Sequence, residues 1–158
     1  MSDVNSSDVR RMAAVGDCAT WLAIVSQLYT NRMNRMLENH DLTLAQFSIL
    51  HHVAQPHFAS GTRISDIASA VEVGQPAVTK GVAKFEAAKL VKVLSMQDDK
   101  RSKRVCATAK GRAVVQDIRL AMRPNLQQLF NEFTLVELEG LSSLIRKLGS
   151  TLDIQRNM

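Results

Sequence analysis

Cysteine is scarce in this chain of 158 residues, and the two cysteines, Cys18 and Cys106, lie far apart in the sequence. Neither belongs to a Cys-x-x-Cys pair or to a Cys/His series with the spacing of zinc ligands, so we predict no disulfide framework and no metal site. The sequence also lacks a phosphate-binding glycine loop and a nucleophile motif. We therefore expect neither a cofactor nor enzyme activity.

Long apolar stretches are missing as well. No run approaches the length that spans a membrane, and the first eight residues lack the basic and apolar regions of a secretion signal. We therefore expect a cytoplasmic protein without a membrane partner. Aromatic residues make up only 4% of the chain against 46% hydrophobic residues, so the core should be aliphatic.

Positive charge is concentrated in one part of the chain. The formal net charge is +5 at pH 7, but residues 63–112 contain eleven Lys or Arg against five Asp or Glu, whereas the remainder contains nine against ten. Charges that merely solvate a surface would be spread more evenly. The segregation favours a polyanionic partner for this segment.

The basic segment begins with the pattern of a helix-turn-helix. Residues 64–71 place apolar side chains at the i, i+3, i+4 and i+7 positions of an amphipathic helix. Gly74 then permits a turn and can cap a second helix, whose first turn accommodates Pro76. The buried stripe of the second helix is expected to consist of Val78, Val82 and Phe85. The residues on its opposite face, or flanking that face, are the candidates for reading DNA: Gln75, Pro76, Ala77, Thr79, Lys80 and Lys84.

A charged β-hairpin is predicted directly after the second helix. Residues 90–96 and 104–108 are rich in β-branched and apolar side chains, and they flank a polar tip at residues 97–103. A helix-turn-helix followed by such a hairpin is a winged helix-turn-helix. We therefore predict a mainly α fold with a small β-hairpin wing.

Three short motifs follow one another in this segment. They are Gln-x-x-Val-Thr-Lys at residues 75–80, Asp-x-Arg-Ser-x-Arg at residues 99–104 and Thr-Ala-Lys-Gly at residues 108–111. In this order and spacing they resemble the MarR (multiple antibiotic resistance regulator) family of bacterial transcription factors. The family usually has Gly where this chain has Lys89, so Lys89 must either take or avoid the left-handed geometry that Gly favours at a helix end.

The resemblance implies that the second helix and the wing contact different parts of the DNA. The second helix would enter the major groove of double-stranded DNA, and Arg101 at the hairpin tip would enter the adjacent minor groove. Lys100 and Lys103 would meet phosphates. We assign Arg104 to a structural pair with Asp99 across the hairpin.

The two ends of the chain have the pattern of long amphipathic helices. Residues 8–39 contain no proline and repeat apolar side chains at three- and four-residue steps. Two later helices should begin with capping boxes, Thr43 with Gln46 and Thr134 with Glu137, and Pro124 should kink the helix that precedes the second box. Near the C-terminus an apolar seam is formed by Leu138, Leu141, Ile145, Leu148 and Leu152.

In the MarR-like plan the first and last helices of two subunits cover one another. The chain would then consist of an N-terminal dimerisation helix (residues 1–40), the winged helix-turn-helix DNA-binding domain (residues 41–111) and C-terminal dimerisation helices (residues 112–158). The alternative is that the terminal helices pack on their own wing domain. Many dimeric helix-turn-helix proteins place two recognition helices one DNA turn apart, which independently favours a homodimer.

The resemblance also implies a ligand pocket between the dimerisation and DNA-binding parts. A small aromatic or phenolic effector would fit a lining of Trp21, Tyr29, Phe47 and His51. The four histidines of the chain lie between residues 40 and 57 without metal-ligand spacing. We interpret most of them as ordinary surface or hydrogen-bonded residues.

The functional hypothesis is a homodimeric, sequence-specific transcriptional regulator, a repressor that a small ligand releases from DNA. The alternative is a peroxide-sensing repressor switched by oxidation of Cys18. No basic residue adjoins Cys18 in the sequence to lower its pKa, so we interpret it as a small buried residue. A winged-helix protein-interaction module is the third hypothesis, and the basic wing disfavours it.

Overall fold

A computed structural model of the protein describes residues 6–95 and 103–156, which form six α-helices and one three-stranded sheet. In chain order the elements are α1 (Ser6–Leu37), α2 (Leu44–Val53), β1 (Thr62–Arg63), α3 (Ile64–Val71), α4 (Gln75–Ala87), β2 (Val91–Ser95), β3 (Lys103–Ala107), α5 (Ala109–Leu129) and α6 (Leu135–Arg156). The chain forms two compact units, Met1–Ile118 and Arg119–Met158. The mainly helical fold with a small sheet confirms the predicted fold class.

Helix α1 is long and buries side chains only near its C-terminal end. Met33 and Leu37 are its buried residues. A 3₁₀ turn at Glu38–His40 follows, and Asp41 closes that turn in the left-handed conformation with φ of 53°. The backbone then enters α2 through the predicted capping box, in which Thr43 Oγ1 accepts from the Gln46 N–H at 3.2 Å while Gln46 Oε1 accepts from the Thr43 N–H at 3.1 Å.

Helices α2, α3 and α4 contact one another and form the core of the first unit. The apolar periodicity of the sequence determines which faces meet, because side chains three and four residues apart share one side of a helix. The buried residues of the three helices are Ile49, Leu50, Val53, Ile67, Ala68, Val78, Gly81, Val82 and Phe85. The stripe predicted for α4 is confirmed, since Val78, Val82 and Phe85 are at most 4% exposed.

The turn between α3 and α4 differs in one respect from the prediction. The left-handed residue is Glu72, with φ of 51°, and its N–H bonds to the Ala68 carbonyl at the end of α3. Gly74 has φ of −57° and is the N-cap of α4, as predicted, but its backbone is one that any residue can adopt. A Cβ atom at Gly74 would meet only the Pro76 ring, at 3.8 Å. The assignment of the turn to the conformational freedom of Gly74 was therefore wrong.

The wing is an antiparallel sheet in which β3 lies between β1 and β2. Val93 of β2 and Thr62 of β1 both lie opposite Val105, which is fully buried. The two-residue strand β1 brings the chain before α3 onto the edge of the hairpin. The helix-turn-helix and the wing are thereby parts of one folded unit.

The connection from α4 into the wing depends on a left-handed lysine. Lys89 has φ of 60°, so it adopts the conformation that glycine would favour at this position. The Leu90 N–H bonds to the Phe85 carbonyl at 2.8 Å, and the Thr108 hydroxyl donates to the Lys89 carbonyl at 2.8 Å. The exit from α4 therefore keeps the geometry of a glycine-capped helix although a lysine occupies the position.

The second unit contains the end of α5 and the whole of α6. Helix α5 is continuous through Pro124. Helix α6 starts at the predicted capping box, where the Thr134 N–H donates to Glu137 Oε2 at 2.8 Å and the Glu137 N–H donates to Thr134 Oγ1 at 3.3 Å. The Thr134 N–H and the Thr134 hydroxyl, which both donate to Glu137 Oε2 at 2.8 Å, lower the pKa of the Glu137 carboxyl because they favour its charged form. Across the described part of the chain, no helix combines the length and the apolar character needed to span a membrane.

Candidate nucleic-acid interface

The second helix of the helix-turn-helix, α4, presents a polar face opposite its buried stripe. Gly74 caps its first turn by accepting from the N–H groups of Ala77 and Val78, at 2.9 and 3.1 Å. Pro76 lies in that turn, where a backbone N–H would have no helical partner. The predicted contact residues Gln75, Pro76, Ala77, Thr79 and Lys80 are all exposed.

Thr79 and Lys80 offer different chemistry on this face. The Thr79 hydroxyl donates to the Gln75 carbonyl at 2.9 Å, so its proton is engaged while its oxygen lone pairs and methyl group remain available. Lys80 has no ion-pair partner within residues 6–95 and 103–156. The face therefore combines a hydrogen-bond acceptor, a methyl group and an exposed cation, the group types that read base edges and phosphates.

Lys84 lies one turn further along α4 and has a protein partner. Its ammonium is 2.8 Å from Asp41 Oδ2, and it also donates to the Asp41 carbonyl oxygen. The side chain of Lys84 is 39% exposed, while that of Asp41 is 93% exposed. No local sequence pattern predicts this pair, because the two residues are 43 positions apart.

The described part of the wing contains two of the predicted wing residues. Lys103 begins β3 and is exposed, whereas Arg104 is half-buried and donates from Nη1 to the Gly61 carbonyl at 3.0 Å. Gly61 has φ of 86°, and a Cβ atom there would lie 2.9 Å from the Arg104 Cβ. Lys100, Arg101 and Asp99 lie outside the described residues, so the proposed pairing of Arg104 with Asp99 stays a prediction.

One further basic residue lies beside the wing. Arg63 of β1 is exposed and lies directly opposite Arg104 in the antiparallel pairing of β1 with β3. Like charges placed opposite each other destabilise a strand pair unless an anion shares them. Sequence reasoning counted Arg63 in the basic segment but did not single it out, because the two-residue strand that places it is too short to give a pattern.

Comparison with known proteins identifies this arrangement. Residues 42–111 match the family model described as a winged helix DNA-binding domain. A crystal structure of wild-type MarR from E. coli in its apo form is 24% identical, covers 82% of this chain and 94% of that chain, and superposes with a TM-score of 0.69. The S. aureus MepR–DNA complex is 23% identical, covers 85% and 96% of the two chains, and has a TM-score of 0.71.

A MarR protein from Peptoclostridium difficile covers 98% of this chain and 94% of its own, at 17% identity and a TM-score of 0.73. The chain has the MarR fold. Among curated proteins we found no match to its sequence. The resemblance drawn from the three short motifs is confirmed at the level of the fold, and residues 42–111 match a winged helix DNA-binding domain.

Within this MarR fold, the residues predicted to line an effector pocket fall into two groups. Phe47 and His51 lie one turn apart on α2, and their rings stack with centroids 5.8 Å apart. Trp21 and Tyr29 are 56% and 42% exposed on α1. Ring contacts between described residues join Phe47 to His51 but do not include Trp21 or Tyr29.

The other histidines of α2 and the following turn surround one phenylalanine. The rings of His52 and His57 lie 4.3 and 4.0 Å from the ring of Phe58. Burial lowers the pKa of His52, and the nearby His57 and His51 lower it further because their charge opposes a second positive charge. In the described ranges, no group of three or more His, Cys, Asp or Glu side chains could hold a metal ion.

The interpretation of Cys18 as a buried residue was wrong. Cys18 is exposed on α1, whereas Cys106 on β3 is buried. The apolar spacing of α1 predicted a helix that another surface must cover, and nine large apolar residues of this helix are exposed in the single chain: Val9, Met12, Val15, Trp21, Leu22, Ile24, Val25, Leu28 and Tyr29.

Proposed function

We propose that this protein is a homodimeric, sequence-specific regulator of transcription that binds a double-stranded DNA operator. The observation that carries the proposal is the polar face of α4, on which Gln75, Thr79 and Lys80 are exposed beside the basic wing, with no ion-pair partner for Lys80 among the described residues. A helix of this kind fits the major groove, and hydrogen bonds to base edges there distinguish all four base pairs. The MepR structure with a similar fold was determined as a complex with DNA, which supports the same use of the fold here.

The terminal helices support the homodimer. Helix α6 exposes Leu141, Leu144, Ile145, Leu148 and Leu152, and α1 exposes the nine apolar residues named above. Apolar surface of this extent is rare on monomeric proteins, because removing it from water is favourable by about 25 cal/mol per Å². A second copy of the chain is the partner we propose for these helices. Two copies would also supply the two recognition helices that half-sites one DNA turn apart require.

We further propose that the regulator is a repressor released by a small aromatic or phenolic effector. The stacked pair of Phe47 and His51, with Trp21 and Tyr29 exposed on α1, supplies aromatic surface and an imidazole for such a ligand. If the ligand weakens operator binding by a given factor, DNA must weaken ligand binding by the same factor. A screen of phenols and carboxylates against operator affinity tests the proposal. Parallel assays with hydrogen peroxide on wild type and Cys18→Ser would identify an oxidant switch instead.

The experiment that tests DNA binding is selection of genomic fragments by the purified protein, followed by affinity measurements over a salt series. We expect recovery of a short duplex with two related half-sites, and an affinity that falls linearly on logarithmic axes as salt rises. Lys80→Met should weaken binding to this duplex and reduce the slope by about one, the signature of a lost phosphate contact. Enrichment of no sequence, or binding of equal strength to unrelated duplexes, would contradict the proposal.

A further inference from the structure

Two lysines of α4, Lys80 and Lys84, are one helical turn apart but have different surroundings. Lys80 is exposed and unpaired within the described residues, whereas the Lys84 ammonium binds two acceptors of the same residue, the carboxylate and the backbone carbonyl of Asp41. An ammonium that already has two acceptors on its own protein must give up at least one of them to bind a phosphate. The two lysines should therefore contribute differently to DNA binding.

Asp41 lies at the corner where α1 gives way to α2. It takes a left-handed conformation with φ of 53°, and the buried side chains of Leu37 and Leu42 flank this corner. On the α1 side, Asn34 Oδ1 accepts from the Leu44 N–H at 2.7 Å, so a side chain of α1 caps the start of α2. On the α4 side, Lys84 provides the bond to Asp41. The corner is thus bonded to side chains of both α1 and α4.

We infer that Lys84 is a positioning residue, which holds α4 against the α1–α2 corner through Asp41, and is not one of the DNA contacts. The inference rests on the proposed function and deepens it. The apolar surface that we propose for the dimer lies on α1, and α1 ends at Leu37, four residues before Asp41. The Lys84–Asp41 pair therefore connects the helix that reads DNA to the end of the helix that sets the distance between subunits.

The position of the Lys84–Asp41 pair predicts that it affects which separation of half-sites the dimer accepts. A dimer whose recognition helices are held firmly accepts only operators with the matching separation of half-sites. If the pair is broken, α4 can shift relative to α1, and operators with other separations become acceptable. An ion pair this exposed is weak, so the effect on affinity should be small while the effect on spacing preference is measurable.

The test compares three variants, Lys84→Met, Asp41→Asn and the double variant, with Lys80→Met as the matched control on the same helix. Fluorescence anisotropy would use the duplex recovered by genomic selection, over a salt series, and duplexes whose half-sites are moved by one base pair in either direction. We expect Lys84→Met and Asp41→Asn each to weaken binding about two- to fivefold. The double variant should be no weaker than either, all three should keep the wild-type salt slope, and all three should discriminate less between spacings.

The control should show the opposite pattern, with a reduced salt slope and an unchanged spacing preference. The inference is overturned if Lys84→Met reduces the slope as Lys80→Met does while Asp41→Asn tightens binding, because Lys84 would then be a phosphate contact that Asp41 restrains. It is also overturned if all variants keep the wild-type affinity and spacing preference. Failure of the wild type itself to bind any duplex would instead contradict the proposed function.

Discussion

At the scale of single residues, Lys89 stores backbone strain where the chain leaves α4. Its φ of 60° lies in the region where a Cβ atom crowds the following carbonyl oxygen. Lys89→Gly should therefore raise the free energy of unfolding by about 1 kcal/mol, the strain relieved less the entropy that glycine adds to the unfolded chain. Chemical denaturation of the two proteins measures the difference.

The matched control is the residue before it. Ala88 has φ of −79°, so Ala88→Gly relieves no strain and should destabilise the protein. Stabilisation by Ala88→Gly but not by Lys89→Gly would contradict the account of this helix exit.

His52 makes a second prediction at this scale, on the dependence of stability on pH. Because burial and the neighbouring histidines lower its pKa, the folded protein binds a proton at His52 less readily than the unfolded chain does. Its neutral form contributes stability that is fully present above the unfolded pKa of about 6.5 and is lost as the pH falls below that value.

The free energy of unfolding should fall less between about pH 7 and about pH 5 in His52→Gln than in the wild type. His40→Gln, which changes a histidine outside the Phe58 cluster, should keep the dependence of the wild type. An identical loss of stability in His52→Gln and the wild type would exclude a contribution from His52.

At the scale of elements, the Thr-Ala-Lys-Gly motif joins the wing to α4 and α5. The Thr108 hydroxyl accepts from the Gly111 N–H at 3.0 Å as an N-cap of α5, while Lys110 donates to the Ala88 carbonyl at 3.0 Å near the end of α4. Gly111 lies so close to Leu90 that a Cβ atom would be 2.0 Å from the Leu90 carbonyl oxygen. The motif is thus explained by close backbone contact and capping.

Gly111→Ala should consequently destabilise the protein by on the order of 3 kcal/mol, because backbone rather than a flexible side chain must move. Gly140→Ala is the control, since nothing lies within 4 Å of a Cβ atom there and alanine is the better helix former. Thermal unfolding of both variants measures these changes in stability. A Gly111→Ala protein as stable as the wild type would mean that α5 can shift away from Leu90.

The elements themselves could largely be predicted from the sequence. The buried stripe of α4 and the capping boxes at Thr43 and Thr134 follow from local patterns, because successive groups in each pattern are at most four residues apart. The bond of Lys84 to Asp41 and that of Arg104 to Gly61 each join residues 43 positions apart, so no local pattern predicts them. The left-handed turn was misassigned because Glu72 adopts a conformation that glycine usually supplies, and the true glycine, Gly74, follows it by two residues.

At the scale of the whole molecule, assembly depends on what covers the terminal helices. Leu141 and Leu148 belong to the seam predicted on α6 and are 36% and 41% exposed in the single chain. If a second copy covers them, Leu141→Lys and Leu148→Lys should shift the protein from dimer to monomer or unfold it, because a charge would be buried in an apolar contact. Val136→Lys, on the other side of the same helix and already 77% exposed, should leave the assembly unchanged. A dimer of wild-type strength in both leucine variants would contradict this role of the seam.

We propose that two copies of this chain bind one DNA duplex. Sedimentation equilibrium of a labelled operator duplex, titrated with the protein at roughly 0.15 M salt, measures this stoichiometry. We predict that the protein alone sediments as a dimer at micromolar concentration, and that the duplex saturates with two chains in a complex that weakens as salt is raised. A monomeric protein, saturation at one chain per duplex, or no complex at all would contradict the claim.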